Sequence, residues 1–253
     1  MSQIIVGVPG PWKEHRDFIE ALIGAHQGAY LFAGAVFMET ATSHMCRVDW
    51  YGHDEDLRTA FEAAGQGKLS PAVLDAIDAH ASTLYLIFDD AGYATARTAA
   101  RFAGALLQAG GIAVKVETAG VAHSPERWLQ ACESEEPFDI YALFTVLIGG
   151  DECYYSCGMH NFALPDAQVP ASLGIEDGAE LLNYFNLYRL VETPDLDDGH
   201  TFSVAEDAPR FRLKREPYLP GYEPPLANPH GLWSLSPLDA PPAPARRRWR
   251  LFG

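Results

Sequence analysis

Three residues in one short stretch, Cys153, Cys157 and His160, carry the sulfur and imidazole groups that ligate zinc-like metals. Their spacing is C-x3-C-x2-H, whereas structural zinc sites use four ligands and commonly C-x2-C knuckles. The run Glu152–Met159 alternates like a strand, and at ~3.3 Å per residue its two thiols would share a face about 13 Å apart. One ion could then be held by both only if the strand were broken. The competing reading is that Cys153 and Cys157 are core residues.

A second constellation is Lys115, Glu117 and His123, to which His160 can be added from the later turn. An imidazole beside a carboxylate and an ammonium suits acid–base work near neutrality. The alternative is that Ser124 caps a helix and His123 is a turn residue packed against it. His160 and His53 occupy comparable places in the two halves of the chain, either facing a shared cleft or lying in surface turns. The segment Val8–Trp12 is no phosphate cradle, because Pro9 and Pro11 lack the N–H donors it needs. No G-x-S-x-G, H-E-x-x-H, G-x-G-x-x-G or C-x-x-C pattern occurs. Arg210, Arg212, Lys214 and Arg215 form a basic row suited to an anion or to the guarded face of an edge strand.

The elements that must carry these residues read as follows. Residues 3–8 are a buried strand, 12–26 an amphipathic helix, 30–38 a strand, and 44–51 a strand alternating Cys46, Val48 and Trp50 against Arg47 and Asp49. Asp54 caps a helix through Leu57 and Phe61, Ser70-Pro71 opens another, and 83–88 is a buried strand. The spacing predicts a helix over 92–109, ended by Gly110-Gly111. The order then restarts: a strand at 112–117, a helix capped by Ser124-Pro125, a strand at 139–148, a hairpin at Gly149-Gly150-Asp151, a strand at 152–159, a helix at 176–191 and a strand at 201–204. At an offset of 110, Ile4 falls on Val114, Val6 on Val116 and Phe18 on Trp128.

This predicts an α+β protein of two tandem ferredoxin-like (βαββαβ) halves in a pseudo-two-fold arrangement, with one larger mixed α+β sheet as the alternative. The expected divisions are a first half at 1–90, a bridging helix at 91–110, and a second half with an extra strand, Arg210–Arg215, at 111–216. Residues 217–244 hold nine of the 18 prolines, so 217–253 reads as a Pro-rich, Arg-ended tail. Its first part is docked through Tyr218, Tyr222, Leu232 and Trp233, and its end is disordered.

The chain of 253 residues has a net charge of -16. The last eight residues hold four arginines and no acid, which leaves 14 bases against 34 acids, or -20, on residues 1–245. Such a body repels nucleic acid and favours a basic protein partner. No apolar run of about 18 residues suggests a membrane span, and no leader is evident at the start. Four cysteines without secretory spacing point to a cytoplasmic setting.

The segments GIAVKVETAGVAHS (111–124), GMHNFALPDAQVP (158–170), LLNYFNLYRLVETPDLDDGHTFSVAEDAPRFRLKREP (181–217) and NPHGLW (228–233) resemble a bacterial family known only as a domain of unknown function. Its members are stand-alone soluble proteins, some encoded near secretion or toxin-type loci. The resemblance implies a coherent folded unit through Trp233 and supplies no catalytic residue or cofactor. The expected function is therefore a non-enzymatic, acidic, cytoplasmic protein-binding protein, of immunity or accessory type. An enzyme or small-molecule binder using a cleft between the halves, with Lys115, Glu117, His123 and His160, is the alternative.

Overall fold

A computed structural model describes residues 2–217 and 228–238. The chain forms a mixed α+β fold with, among the described residues, seven α-helices and two separate sheets of seven and six strands. The first sheet is antiparallel and runs β2-β3-β4-β5-β1-β6-β7. Its strands are β1 (Ile4–Gly10), β2 (Tyr30–Ala33), β3 (Val36–Glu39), β4 (Met45–Gly52), β5 (Ser82–Phe88), β6 (Val114–Val116) and β7 (Val121–His123).

Ile4, Val6, Val8, Leu84 and Leu86 on one face bury against α1 (His15–His26) and α4 (Tyr93–Gln108). The expected bridging helix is thus α4, buried over most of its surface with an exposed stripe at Ala94, Arg97, Arg101 and Gln108. Small residues such as Ala96, Ala99, Ala100 and Ala103 let neighbours approach its backbone closely. Trp128 and Cys132 of α5 (Pro125–Glu133) both donate to the Ala100 carbonyl oxygen. Gly110, with φ 101°, ends α4 in a conformation that disfavours a side chain.

Along β1, α1, β4, β5, α4 and β6 the path is βαββαβ, and its strands lie in the order β4-β5-β1-β6 with both helices on one face. The hairpin β2–β3 and the helices α2 (Leu57–Gly65) and α3 (Pro71–Asp78) are insertions into that path.

The second sheet runs β11-β12-β13-β10-β9-β8. Its strands are β8 (Val146–Gly149), β9 (Cys153–Cys157), β10 (Asp166–Pro170), β11 (Thr201–Phe202), β12 (Phe211–Glu216) and β13 (Leu232–Pro237), with β10 and β13 parallel. Phe211, Leu213, Trp233, Leu235, Ala167 and Val169 cluster with Leu181, Leu182 and Phe185 of α7 (Ile175–Glu192).

Separate sheets suit a two-part chain, but several expected boundaries move. Residues 114–123 hydrogen-bond into the first sheet instead of opening the second half, because β1 pairs with β5 on one edge and would otherwise leave its other edge unpaired. Val6 and Val116, aligned above as repeat equivalents, are cross-strand partners.

The run 139–148 is not one strand. Pro137 starts α6 (Pro137–Phe144), which buries Ile140, Tyr141, Leu143 and Phe144 at helical spacing before β8 begins. Residues 30–38 form a hairpin, not a single strand. Asp56, not Asp54, precedes α2, while Ser70 and Ser124 cap α3 and α5 as expected.

The expected tail contributes β13, paired on both sides inside the second sheet. Consequently β12, which carries Arg212 and Lys214, is an inner strand flanked by the two-residue β11. Tyr218, Tyr222 and the arginines of 246–250 lie outside the described residues.

Candidate functional site

The face of the first sheet opposite α1 and α4 is only partly covered. Helices α2 and α3 close its β6–β7 end by packing Leu57, Phe61, Leu74 and Ile77 on Ala113 and Ala122. What stays open is a grid set by strand register. Ile87 lies between Ile5 and Arg47, Tyr85 between Gly7 and Asp49, and Thr83 between Pro9 and Tyr51. Of these, Ile5, Asp49, Tyr51, Thr83, Tyr85 and Ile87, together with Gly52, His53, Asp54, Glu55 and Glu117, bound a hollow of about 800 Å³.

The local reasons are short-range. Alternation in β4 sends Cys46 and Val48 to the core and Arg47, Asp49 and Tyr51 to the other face. Gly7 makes room for the hollow's floor, since a Cβ there would sit 2.9 Å from Tyr85 Cε1 and 3.1 Å from Glu117 Oε1. The Tyr51 and Tyr85 rings meet edge to face with centroids 5.4 Å apart. Tyr51 is 58% exposed, so an aromatic ring stands in water beside an apolar floor. Thr83 is 2% exposed, and its Oγ1 has no hydrogen-bond partner.

Charge around the hollow is unbalanced. Lys115 Nζ and Glu117 Oε2 pair at 2.6 Å, and Arg47 and Asp49 pair loosely at 3.7 Å. Asp54 Oδ1 accepts from the Asp56 amide, and among the described residues neither Asp54 nor Glu55 forms an ion pair. Burial, and then the nearby carboxylates of Glu117 and Asp54, push the Tyr85 hydroxyl up to about 12, so it stays protonated at neutral pH. Behind the rim, His53 Nδ1 bonds the His80 carbonyl oxygen at 2.9 Å, and burial lowers His80 below the ordinary histidine range.

Of the four acid–base candidates, the structure joins only two. Lys115 and Glu117 project together beside the hollow. His123, paired in register with Val114, points to the opposite face of the sheet, where Nε2 donates to the Leu143 carbonyl oxygen and the ring rests on Trp128. Burial pushes it down to about 4. His160 sits in a buried 3-10 turn (Met159–Phe162), and burial, opposed only by the Thr118 backbone, again pushes it down to about 4. One site of direct contacts cannot be built from all four.

Cys153 and Cys157 occupy the two ends of β9, and burial raises both thiols, Cys157 to about 12. Among the described residues, no three His, Cys, Asp or Glu side chains are placed to hold a metal ion. No helix among them is long and apolar enough to cross a membrane.

A second polar cluster lies where 158–170, 181–189 and Asn228 converge. Asp166 accepts from the Met159 amide at 3.1 Å, Ser156 Oγ at 3.3 Å and Asn228 Nδ2 at 2.7 Å. Arg189 donates to the Pro165 carbonyl oxygen at 2.7 Å and to Asn186, with its guanidinium 4.5 Å from the Phe185 ring centre. Asn186 reaches the Tyr141 hydroxyl, which donates to Asn183. Burial raises Asp166 and lowers Arg189 from their ordinary ranges. Gly158, φ 120°, fixes the turn, because a Cβ there would meet the Phe144 carbonyl oxygen at 2.1 Å. This cluster ties α6, α7 and β10 together.

The sequence pattern did not single out Tyr51, Thr83, Tyr85 or Glu55, and it marked Asp54 only as a helix cap. The β4 alternation was visible, and Gly7 within a strand signals a close approach; the uniformly apolar look of TLYLIF hid the outward face of β5. No family model, curated protein or solved structure matches the chain.

Proposed function

We propose that this protein is a non-enzymatic binding protein that recognises a basic protein partner through the open face of its first sheet. The observation that carries this reading is the exposed Tyr51 ring against the half-buried Tyr85 on an apolar floor, rimmed by carboxylates of which Asp54 and Glu55 lack a basic partner among the described residues. Aromatic rings at an interface supply large, rigid contact area, and unpaired rim carboxylates speed the approach of a cationic surface. The net charge of -16 acts in the same direction.

An immunity or accessory role would follow if the partner is a basic effector, and a cytoplasmic setting fits the reduced thiols. The βαββαβ path of the first sheet supports reading its half as ferredoxin-like, a frame that leaves one sheet face available. A small-molecule or enzymatic role keeps one supporting observation, the concavity of the same face.

The test is affinity capture from the native host with the wild type and with an Asp54→Asn/Glu55→Gln double variant. A partner held by the wild type, released by salt and lost with the variant is expected. Equal capture by both proteins would sink the proposal.

A further inference from the structure

We infer that the hollow takes an arginine side chain of the basic partner, its guanidinium lying between the Tyr51 ring and the Thr83 hydroxyl and facing Asp54 and Glu55. This deepens the binding reading above and rests on it.

The starting point is Thr83. A hydroxyl this deeply buried normally has a partner, because leaving it unpaired costs the desolvation of a polar group. Thr83 Oγ1 has none, and the residue lines the hollow. Its cross-strand neighbours on this face are Pro9, whose side chain cannot hydrogen-bond, and Tyr51, whose ring is engaged edge-on with Tyr85. The oxygen is shielded from solvent, so a donor entering from the hollow completes it once a neighbouring side chain on this face moves aside.

The charge then selects the donor. The two bases at the hollow are already matched by Glu117 and Asp49, so the uncompensated groups are Asp54 and Glu55. They follow Gly52, which is in register with Ser82, and so stand at the Thr83 end of β5. A cation bound there meets opposite charge, an aromatic ring and a hydroxyl acceptor at once.

Shape separates arginine from lysine. A guanidinium is planar and weakly hydrated, stacks on a ring and still directs several N–H donors in its plane, whereas an ammonium is a compact, strongly hydrated charge. The edge-to-face arrangement leaves the exposed Tyr51 as the ring a planar cation can cover. Further along β5, Tyr85 and Ile87 offer an apolar track for the three methylenes of the side chain.

The experiment titrates the full chain calorimetrically with two peptides of equal length, one an arginine–glycine repeat and one a lysine–glycine repeat. Wild type should prefer the arginine peptide by roughly threefold to tenfold, the range set by an exposed cation–π contact plus one added hydrogen bond. Thr83→Val, which keeps the β-branched shape, and Tyr51→Ala, at an exposed position, should each remove most of that preference. Asp177→Asn, exposed at the start of α7, should leave it unchanged.

Equal binding of both peptides, or a preference untouched by Thr83→Val and Tyr51→Ala, overturns the inference. If partner capture still depends on Asp54 and Glu55 in that case, the binding reading survives without it. If the acid variant is silent as well, both fall. Circular dichroism of each variant excludes misfolding as the source of a loss.

Discussion

The hollow on the first sheet and the junction beneath α7 are built from the same kinds of groups: carboxylates, a cation, tyrosine hydroxyls and histidine. At the junction every acid and base has been withdrawn from water. Asp166 is met by three donors, and Arg189 by two acceptors and an aromatic ring, with its Nε alone left without a hydrogen bond. In the hollow, Tyr51 stands in solvent, Asp54 and Glu55 lack ion-pair partners among the described residues, and Thr83 Oγ1 is left without a hydrogen bond. Satisfied buried polar groups fix a fold, because removing any one strands the others. Unsatisfied groups at an open surface are where a second molecule can improve matters. The junction therefore reads as architecture and the hollow as a place for recognition.

The sharpest way to break this contrast is to remove one member from each region. Arg189→Ala leaves the buried Asp166 without its compensating charge and should cost about 3–5 kcal/mol in urea denaturation. Tyr51→Ala, at an exposed position, should change stability by less than about 0.5 kcal/mol. Similar costs for the two would mean that the regions are not different in kind.

Acidification probes the buried groups next. His123 and His160 are held down to about 4 against an ordinary 6.5, so the unfolded chain takes up protons that the folded chain refuses as pH falls through that window. Each therefore removes stability between pH 6.5 and 4. Asp166, raised to about 6 from 3.8, works the other way, since the folded state binds its proton first. At about 1.36 kcal/mol per unit the two histidines outweigh the one carboxyl, and a net loss of a few kcal/mol is expected across that window. His160→Leu should flatten the decline, as read from denaturation midpoints at pH 6.5, 5 and 4.

Smaller effects belong to the open face. Thr83→Val removes an unpaired buried hydroxyl and should raise stability by about 1 kcal/mol, a gain opposite in sign to its effect on binding. Glu117→Gln unties Lys115 at a partly solvated pair and should cost less than about 1 kcal/mol in thermal melts. A loss of stability in Thr83→Val would show that the hydroxyl is already satisfied and would weaken the case for the hollow.

Much of the local structure was legible in the chain itself. Ser70-Pro71 and Ser124-Pro125 mark helix starts because a side-chain oxygen can accept a free amide and proline lacks one to waste. The alternation of Cys46 and Val48 with Arg47 and Asp49, and of Phe211 and Leu213 with Arg212 and Lys214, gives the inward face of each strand. The run DIYALF was ambiguous because an unbroken apolar stretch fits a strand and a buried helix equally, and only Pro137 favoured the helix. Residues 232–237 were read as a docked segment because the surrounding prolines mask a strand that pairs on both edges.

The candidate site was legible only in fragments. Lys115 and Glu117 share a face by the period of a strand, and their pairing follows from sequence alone. That His123 turns to the other face depends on the register of the β6–β7 hairpin, and that His160 is sealed in a buried turn depends on how 158–162 packs against α4 and α6. The hollow needs β1, β4 and β5 side by side, which brings Gly7, Tyr51 and Thr83 together from positions up to 76 residues apart. Periodicity and capping act over a few residues, so they determined most helices, most strands and, where apolar and polar residues alternate, the inward side of a strand. Which strands become neighbours, and hence which polar groups are buried and paired and which are left facing water, is a property of the packed sheets, and the tertiary structure alone decided it.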